Sequence, residues 1–191
     1  AGSPQQAMAA GVSLVAGDRT GESLVMSMSV RENLFINPCA SGHRLLSRYG
    51  RRAEIGASWW KVQLFDVRPK DVNLDISALS GGNQQKVAIA RWLERDTPVL
   101  LFDEPTRGVD VGAKFDIYTL LDALAARGKA LVVVSSDLRE LMQLCDRIGV
   151  MRAGRLTHIF QRGGWSQDAL LAAAFGESEE SDSYAPRSPS E

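Results

Sequence analysis

The sequence predicts an α/β fold in which helices flank a mostly parallel β-sheet, with an antiparallel β-hairpin near the C-terminus. Short apolar runs typical of buried strands, "SLVA", "VLLF" and "ALVVV", alternate with segments of helical periodicity. Towards the end, "RIGVM" and "LTHIF" flank the turn-like "RAGR", which favours a hairpin. The 191 residues suffice for one domain, placed at 1–175, and the acidic, Ser-rich tail 176–191 is predicted to be disordered.

The first half of the chain predicts short helical elements. A capping box at Ser29–Glu32 predicts a helix that begins at Val30. Residues 37–57 have poor periodicity and three glycines, which indicates a loop or an irregular helical segment. "SWWKVQLFDV" is again helical, and we expect Trp59 and Trp60 to pack in the protein rather than stack on a substrate.

The second half predicts an alternation of helices and strands. The continuous β-branched run "ALVVVSS" is typical of a strand buried on both faces. A last short helix is predicted at Gln167–Phe175. Two helical stripes flank the β-branched run, the first ending near Gly128, and their residues are Ile117, Leu120, Leu121 and Leu124, then Leu138, Leu141, Met142 and Cys145.

Composition excludes some classes of function. The formal net charge is −1 and the basic residues form no run, so nucleic acid is not a predicted partner. Cys39 and Cys145 lack the spacing of metal or redox sites and are interpreted as ordinary thiols. The sequence has no apolar run long enough to cross a bilayer and no signal-peptide pattern at its start. If the protein works at a membrane, we expect it to dock onto a component already there.

The first chemical motif is "VLLFDEP", a buried strand followed by two carboxylates. Ligands of open α/β sheets bind beyond the carboxyl ends of the strands, where Asp103 and Glu104 are expected. One carboxylate there can hold Mg²⁺, and the next can orient or deprotonate an attacking water. A solvated acidic turn after a core strand would look the same, so the motif alone leaves both interpretations open.

The second motif is "LSGGNQQK", Leu79–Lys86. Glycines let a backbone approach a ligand closely, and the free amides at a helix start attract an anion. An ordinary N-capped helix would explain Ser80 equally well. It would not explain two successive glycines, which weaken a helix start.

Together these motifs resemble an ATP-binding-cassette (ABC) nucleotide-binding domain. "LSGGN" is similar to the family signature, "LLFDEP" to its Walker B motif, and "GVD" at Gly108–Asp110 to its D-loop. "LSGGNQQKVAIARWL" with "DEPTRGVDVGAK" resembles the second cassette of the fused ribose, galactose and xylose importer ATPases. The resemblance runs from about Ser3 to about Phe160 and implies a P-loop NTPase-like domain with a helical signature subdomain at about 30–95.

The resemblance also implies roles for single residues, with ATP and Mg²⁺ as cofactors. Asp103 would serve Mg²⁺, Glu104 would be the catalytic carboxylate, and Asp110 would reach across a cassette dimer. Asn83 stands at the fifth signature position, where most of the wider family has Gln, and the sugar-importer class shares this Asn. The residues that would contact the γ-phosphate of an ATP held by the opposite cassette are Ser80, Gly81, Gly82 and Asn83.

Three departures from the family pattern stand out. The sequence has no G-x-x-x-x-G-K-[ST] motif, so it lacks the phosphate-binding loop. We expect a C-terminal fragment of a longer protein, with a naturally short, degenerate protein as the alternative. Ser136 replaces the switch histidine, and Gly17 stands at the Q-loop position, where these second cassettes have Glu. Both replacements predict slow turnover at the domain's own site, and we expect the isolated chain to be inactive.

The resemblance implies an ATPase domain of a carbohydrate importer, peripheral to the cytoplasmic face of the cell membrane. Its partners would be a first cassette, transmembrane permease subunits and, indirectly, a sugar-binding protein. Two alternatives stay open. One is a non-catalytic partner domain that lends its signature to another cassette. The other is a soluble ABC protein of repair or translation, although the coiled-coil runs or charged linkers of those proteins are missing from the sequence.

Overall fold

The computed structural model of the chain describes residues 2–18, 21, 23–36, 50–92 and 97–176. These residues belong to two compact units, Ala1–Ser136 and Asp137–Glu191. The tail predicted to be disordered lies outside the described residues except for Gly176, so its disorder stays a prediction. Cys39 also lies outside them.

A three-stranded parallel sheet forms the centre of the first unit. Its strands are β1 (Val12–Val15), β2 (Val99–Asp103) and β3 (Ala130–Val134), in the order β1-β2-β3. The register places Val15 beside Phe102 and Phe102 beside Val133, so all three carboxyl ends meet at one edge. The predicted parallel α/β architecture is confirmed.

The two faces of this sheet differ in burial. One face carries Ser13, Val15, Leu100 and Phe102, each at most 2% exposed. On the other face Leu14 and Val132 are each 51% exposed and Val134 is 58% exposed. The prediction that "ALVVVSS" is buried on both faces is therefore wrong. The β-branched run favours the strand conformation, but in the described part of the chain its outward face is left to solvent.

Short helices lie in the N-terminal part of this unit, and the first of them contacts β1. They are α1 (Pro4–Ala9) and α2 (Val30–Phe35). Ser29 Oγ accepts a hydrogen bond from the Glu32 amide at 3.2 Å, and the Glu32 carboxylate accepts from the Ser29 amide at 2.9 Å. The predicted capping box and the helix start at Val30 are confirmed.

The helix α3 (Arg51–Leu64) begins earlier than the sequence indicates. The prediction of a loop or irregular segment at 37–57 is wrong for residues 51–57, which form regular helix, while 37–49 lie outside the described residues. The periodicity is weak because α3 buries only Ser58, Lys61 and Val62. The predicted packing of the tryptophans is also wrong, since Trp59 is 39% and Trp60 59% exposed.

A 3₁₀ turn at Ile76–Ala78 leads into α4 (Gly81–Trp92), the most buried helix of the unit. α4 contacts α2, β1 and α5 (Val111–Ala126). Near its C-terminal end, Arg91 Nε donates a hydrogen bond to the Asn33 carbonyl of α2 at 2.8 Å. Burial lowers the pKa of Arg91 to about 10, so the side chain stays charged at neutral pH. This bond fixes the C-terminal end of α4 to α2, at the opposite end of the helix from Gly81.

The helix α5 follows the predicted stripe, because Ile117, Leu121 and Leu124 are buried, and Gly128 follows it with φ of +83°. It contacts β3.

The second unit contains α6 (Leu138–Leu144), β4 (Arg147–Arg152), β5 (Arg155–Gln161) and α7 (Gln167–Phe175). The two strands form the predicted antiparallel hairpin, and α7 has the predicted bounds. Burial raises the pKa of the Cys145 thiol, which agrees with an ordinary, unactivated cysteine. None of the helices in the described ranges is long and apolar enough to cross a membrane.

Candidate functional site

Glu104 lies directly beyond the end of β2 and is bonded to the neighbouring strand. Its N–H donates to the Val134 carbonyl at 2.8 Å, and its Oε1 accepts a hydrogen bond from the Ser136 N–H at 2.8 Å. Its backbone has φ of +45°, a conformation unusual for a residue with a side chain. The structure thus holds the predicted catalytic carboxylate against the predicted switch position.

Gly17, in the segment that follows β1, completes this group. A Cβ built on Gly17 would lie 2.8 Å from the Asp103 carbonyl oxygen and 3.2 Å from the Glu104 Cβ. A side chain there would need the backbone to shift, because such close approaches occur only without a Cβ. The structure therefore brings Gly17, Asp103, Glu104 and Ser136 together at the carboxyl edge of the sheet.

The carboxylates at this edge could hold a magnesium ion only together with phosphate oxygens of a bound nucleotide and water. Among the described residues, no group of three or more His, Cys, Asp or Glu side chains could hold a metal ion. Mg²⁺ is commonly held by one or two carboxylates plus phosphate oxygens and water, so it does not need such a group. Asp103, which is exposed at the end of β2, suits that kind of site.

The signature segment, residues 79–83, is held by hydrogen bonds on both sides of Ser80. The Gln84 side-chain amide donates to the carbonyls of Ile76 and Leu79, each at 3.1 Å, and the Gln84 N–H donates to the Ser80 carbonyl at 2.9 Å. These bonds hold the 3₁₀ turn against the first turn of α4. The segment therefore has one defined path, with Ser80 exposed at the helix start.

The side chain of Asn83 connects Ser80 to the loop that follows α3. Asn83 Oδ1 accepts a hydrogen bond from the Arg68 N–H at 2.8 Å, and Asn83 Nδ2 donates to Ser80 Oγ at 2.9 Å. The Arg68 guanidinium, 2.7 Å from the Asp66 carboxylate, holds the pKa of Asp66 below its usual range. Arg68 is not among the predicted site residues, because a contact made by its backbone N–H leaves no signal in the sequence.

Gly82 lies where α4 contacts α5. A Cβ built on Gly82 would overlap the Cβ of Ala113, so only glycine allows this approach of the two helices. One turn further along, Lys86 Nζ lies 2.8 Å from the Asp116 carboxylate. Close packing against Ala113 therefore explains why a glycine stands at position 82, although glycine weakens a helix start. The sequence does not reveal it, since it depends on a residue of another helix.

Asp110, the predicted D-loop residue, caps α5. Its Oδ1 accepts a hydrogen bond from the Ala113 N–H at 2.9 Å. Because Ala113 is also the residue that faces Gly82, the start of α5 lies beside the start of α4. The predicted signature and D-loop residues therefore lie at the N-terminal ends of two helices that pack against each other.

Comparison with known proteins identifies the family. A family model described as "ABC transporter" matches residues 4–107. The chain belongs to the ABC transporter family. The resemblance inferred from the signature, Walker B and D-loop motifs is confirmed.

Curated ABC relatives agree with this assignment. A putative ribose/galactose/methyl galactoside import ATP-binding protein of Agrobacterium fabrum is 45% identical over 176 residues, which is 92% of this chain and 35% of the relative. The ribose import ATP-binding protein RbsA of Chromobacterium violaceum is 44% identical over 179 residues, 91% of this chain and 34% of the relative. The chain thus spans about a third of the length of these relatives.

Solved ABC cassettes have the same fold. A nucleotide-free ATP-binding cassette of an ABC transporter matches with a TM-score of 0.70 at 21% identity, covering 88% of this chain and 68% of that one. A dimeric cassette in a post-hydrolysis state, bound to ADP and phosphate, matches with a TM-score of 0.65 at 24% identity, covering 81% and 64%. The predicted P-loop NTPase-like fold is confirmed.

Proposed function

We propose that this chain is part of the ATP-hydrolysing subunit of a carbohydrate importer, as a partial second cassette. It supplies its signature segment to an ATP held by another cassette. The observation that carries the proposal is the exposed Ser80 at the start of α4, an element held by α2 and α5 in a sequence that has no phosphate-binding loop of its own. Support for the substrate class comes from relatives named as ribose and galactose import proteins.

The signature segment acts on the terminal phosphate of that ATP. First-turn amides of α4 have no partner within the helix, and the helix dipole favours an anion at this end. The Ser80 hydroxyl adds a donor beside them. Donors fixed before the reaction stabilise the charge that develops on the phosphoryl oxygens, so their chemical task is electrostatic.

The carboxylates beyond β2 serve a second ATP, on this domain's own side. Asp103 would hold Mg²⁺, which neutralises phosphate charge when bound. Glu104 would orient or deprotonate the attacking water. Because Ser136 and Gly17 offer no imidazole and no carboxylate there, we expect slow turnover on this side.

The partners follow from the proposed roles of the signature segment and of the two carboxylates. They are a first cassette, in the same chain or a separate subunit, the permease subunits of the importer and, indirectly, a sugar-binding protein. The protein would act at the cytoplasmic face of the membrane, peripherally. A purely non-catalytic partner domain is the second candidate, and the Glu104 carboxylate favours it, because one of its oxygens is already bonded to the Ser136 amide.

The proposal is tested by measuring whether the chain associates with a complete ATP-binding cassette only when ATP is present. The chain is mixed with a complete ATP-binding cassette whose catalytic carboxylate is inactivated, and sedimentation velocity is measured with MgATP and with MgADP. We expect a heterodimer with MgATP only, which Ser80→Ala weakens. Ser77→Ala, in the adjacent 3₁₀ turn, is the matched control and should change nothing. Association that ignores the nucleotide, or that responds equally to both substitutions, would contradict the proposal.

A further inference from the structure

The signature segment contains two hydrogen bonds whose direction follows from the groups involved. The Arg68 N–H, 2.8 Å from Asn83, can only donate, so the atom that faces it is the amide oxygen. This contact fixes the orientation of the Asn83 amide, which would otherwise be ambiguous. The Nδ2 group therefore faces Ser80 Oγ, 2.9 Å away, and donates to it.

The direction of the second bond decides what the Ser80 hydroxyl can do. A serine hydroxyl has one hydrogen to donate and two lone pairs to accept with. Because Asn83 supplies the hydrogen of the Asn83–Ser80 bond, the Ser80 hydrogen remains available for another acceptor. Ser80 is exposed at the start of α4, so a phosphate oxygen can take that place.

The loop that orients Asn83 is itself tied to α4. Lys86 Nζ donates to the Asp66 carbonyl at 3.2 Å, and Asp66 pairs with the Arg68 guanidinium at 2.7 Å. Lys86 lies one turn after Asn83 on the same helix, so the loop is held at both places. The Asn83 amide therefore meets a fixed N–H and does not rotate freely.

We propose that Asn83 is a positioning residue, which commits the Ser80 hydroxyl to donating towards a bound phosphate. This inference rests on the proposed function. It differs from the role that the family resemblance implies, in which Asn83 itself contacts the phosphate, because the Asn83 oxygen and one Nδ2 hydrogen are bonded inside the chain, to Arg68 and Ser80. Asn83 acts through Ser80.

The test uses the whole chain, labelled with ¹⁵N, and inorganic phosphate as the probe. Without phosphate, Asn83→Ala should expose the Arg68 amide to hydrogen exchange, whereas Ser80→Ala should leave it protected. Phosphate is then titrated at constant ionic strength, and its affinity is read from the Gly81 and Gly82 amide resonances. Asn83→Ala should weaken binding roughly three- to tenfold when Ser80 is present. In the Ser80→Ala background it should weaken binding less than about twofold, since the residue through which it acts is gone.

Three results would contradict the inference or the proposed function on which it rests, and they can be told apart. Equal losses from Asn83→Ala in both backgrounds would show that Asn83 contacts phosphate directly or only supports the fold. Resonances of Gly81 and Gly82 that ignore phosphate in the unmodified chain, with the Arg68 amide still protected, would instead overturn the proposed anion-binding role of the whole segment. Ser77→Ala serves as the control for nonspecific shifts, and a response there as large as in Asn83→Ala also counts against the inference.

Discussion

Gly82 shows how one residue can carry both packing and chemistry. It belongs to the signature that would approach a phosphate, yet its missing Cβ is what lets α4 reach Ala113 of α5. The two roles have different sensitivities, because packing responds to any added atom and anion binding responds to charge and hydrogen bonding. A substitution at Gly82 therefore tests packing first.

Gly82→Ala should lower the free energy of unfolding by about 1–3 kcal/mol, since an added methyl group overpacks the contact. Removing the opposing methyl group should restore most of the loss in the Gly82→Ala/Ala113→Gly double variant, apart from the helix propensity cost of up to about 1 kcal/mol for a glycine in α5. Urea denaturation of the two single variants and the double variant measures both effects. If the double variant loses the sum of the single losses, the two residues do not contact each other.

At the scale of elements, the sheet is the part that departs most from expectation. Both its buried face and its exposed face carry large apolar residues, so hydrophobicity alone does not distinguish them. Leu100 and Leu14 offer a matched pair, because the same residue type stands 2% exposed on β2 and 51% exposed on β1.

Leu100→Ala should destabilise the protein by about 2–5 kcal/mol, the usual cost of a large-to-small change in a core. Leu14→Ala should cost less than about 1 kcal/mol, because little buried surface is lost there. Thermal and urea unfolding of the two variants, followed by circular dichroism, gives the comparison. Equal costs would mean that the outward face is covered in solution, for example by a second copy of the chain.

Local signals predicted elements well, and non-local packing explains what they missed. The capping box at Ser29–Glu32, the hairpin turn and α7 depend on neighbours along the chain, and the structure has all three. The exposure of one face of β3, the exposure of Trp60 and the contact between Gly82 and Ala113 depend on distant residues. In the candidate site, the residues named from the motifs remain predictions, and the motifs did not reveal that Asn83 bonds to Arg68 or that Asp110 caps α5.

At the scale of the whole molecule, we propose an asymmetry between two sets of residues in the first unit. Ser80 and its neighbours would serve an ATP held elsewhere, whereas Asp103 and Glu104 would serve an ATP on the chain's own side, where Gly17 and Ser136 replace the usual side chains. The two sets should therefore respond differently in an assay that reports only the other cassette's ATP.

The most direct measurement titrates the chain into a complete, active ATP-binding cassette and follows steady-state ATP hydrolysis. We expect the unmodified chain to stimulate hydrolysis and Ser80→Ala to lower this stimulation at least about tenfold, because a donor to the reacting phosphate is lost. Glu104→Gln, which keeps the size of the side chain and removes the base, should leave stimulation within about twofold of the unmodified chain, because in the proposed asymmetry Glu104 serves the other ATP. Stimulation that survives Ser80→Ala but is abolished by Glu104→Gln would contradict the proposed asymmetry.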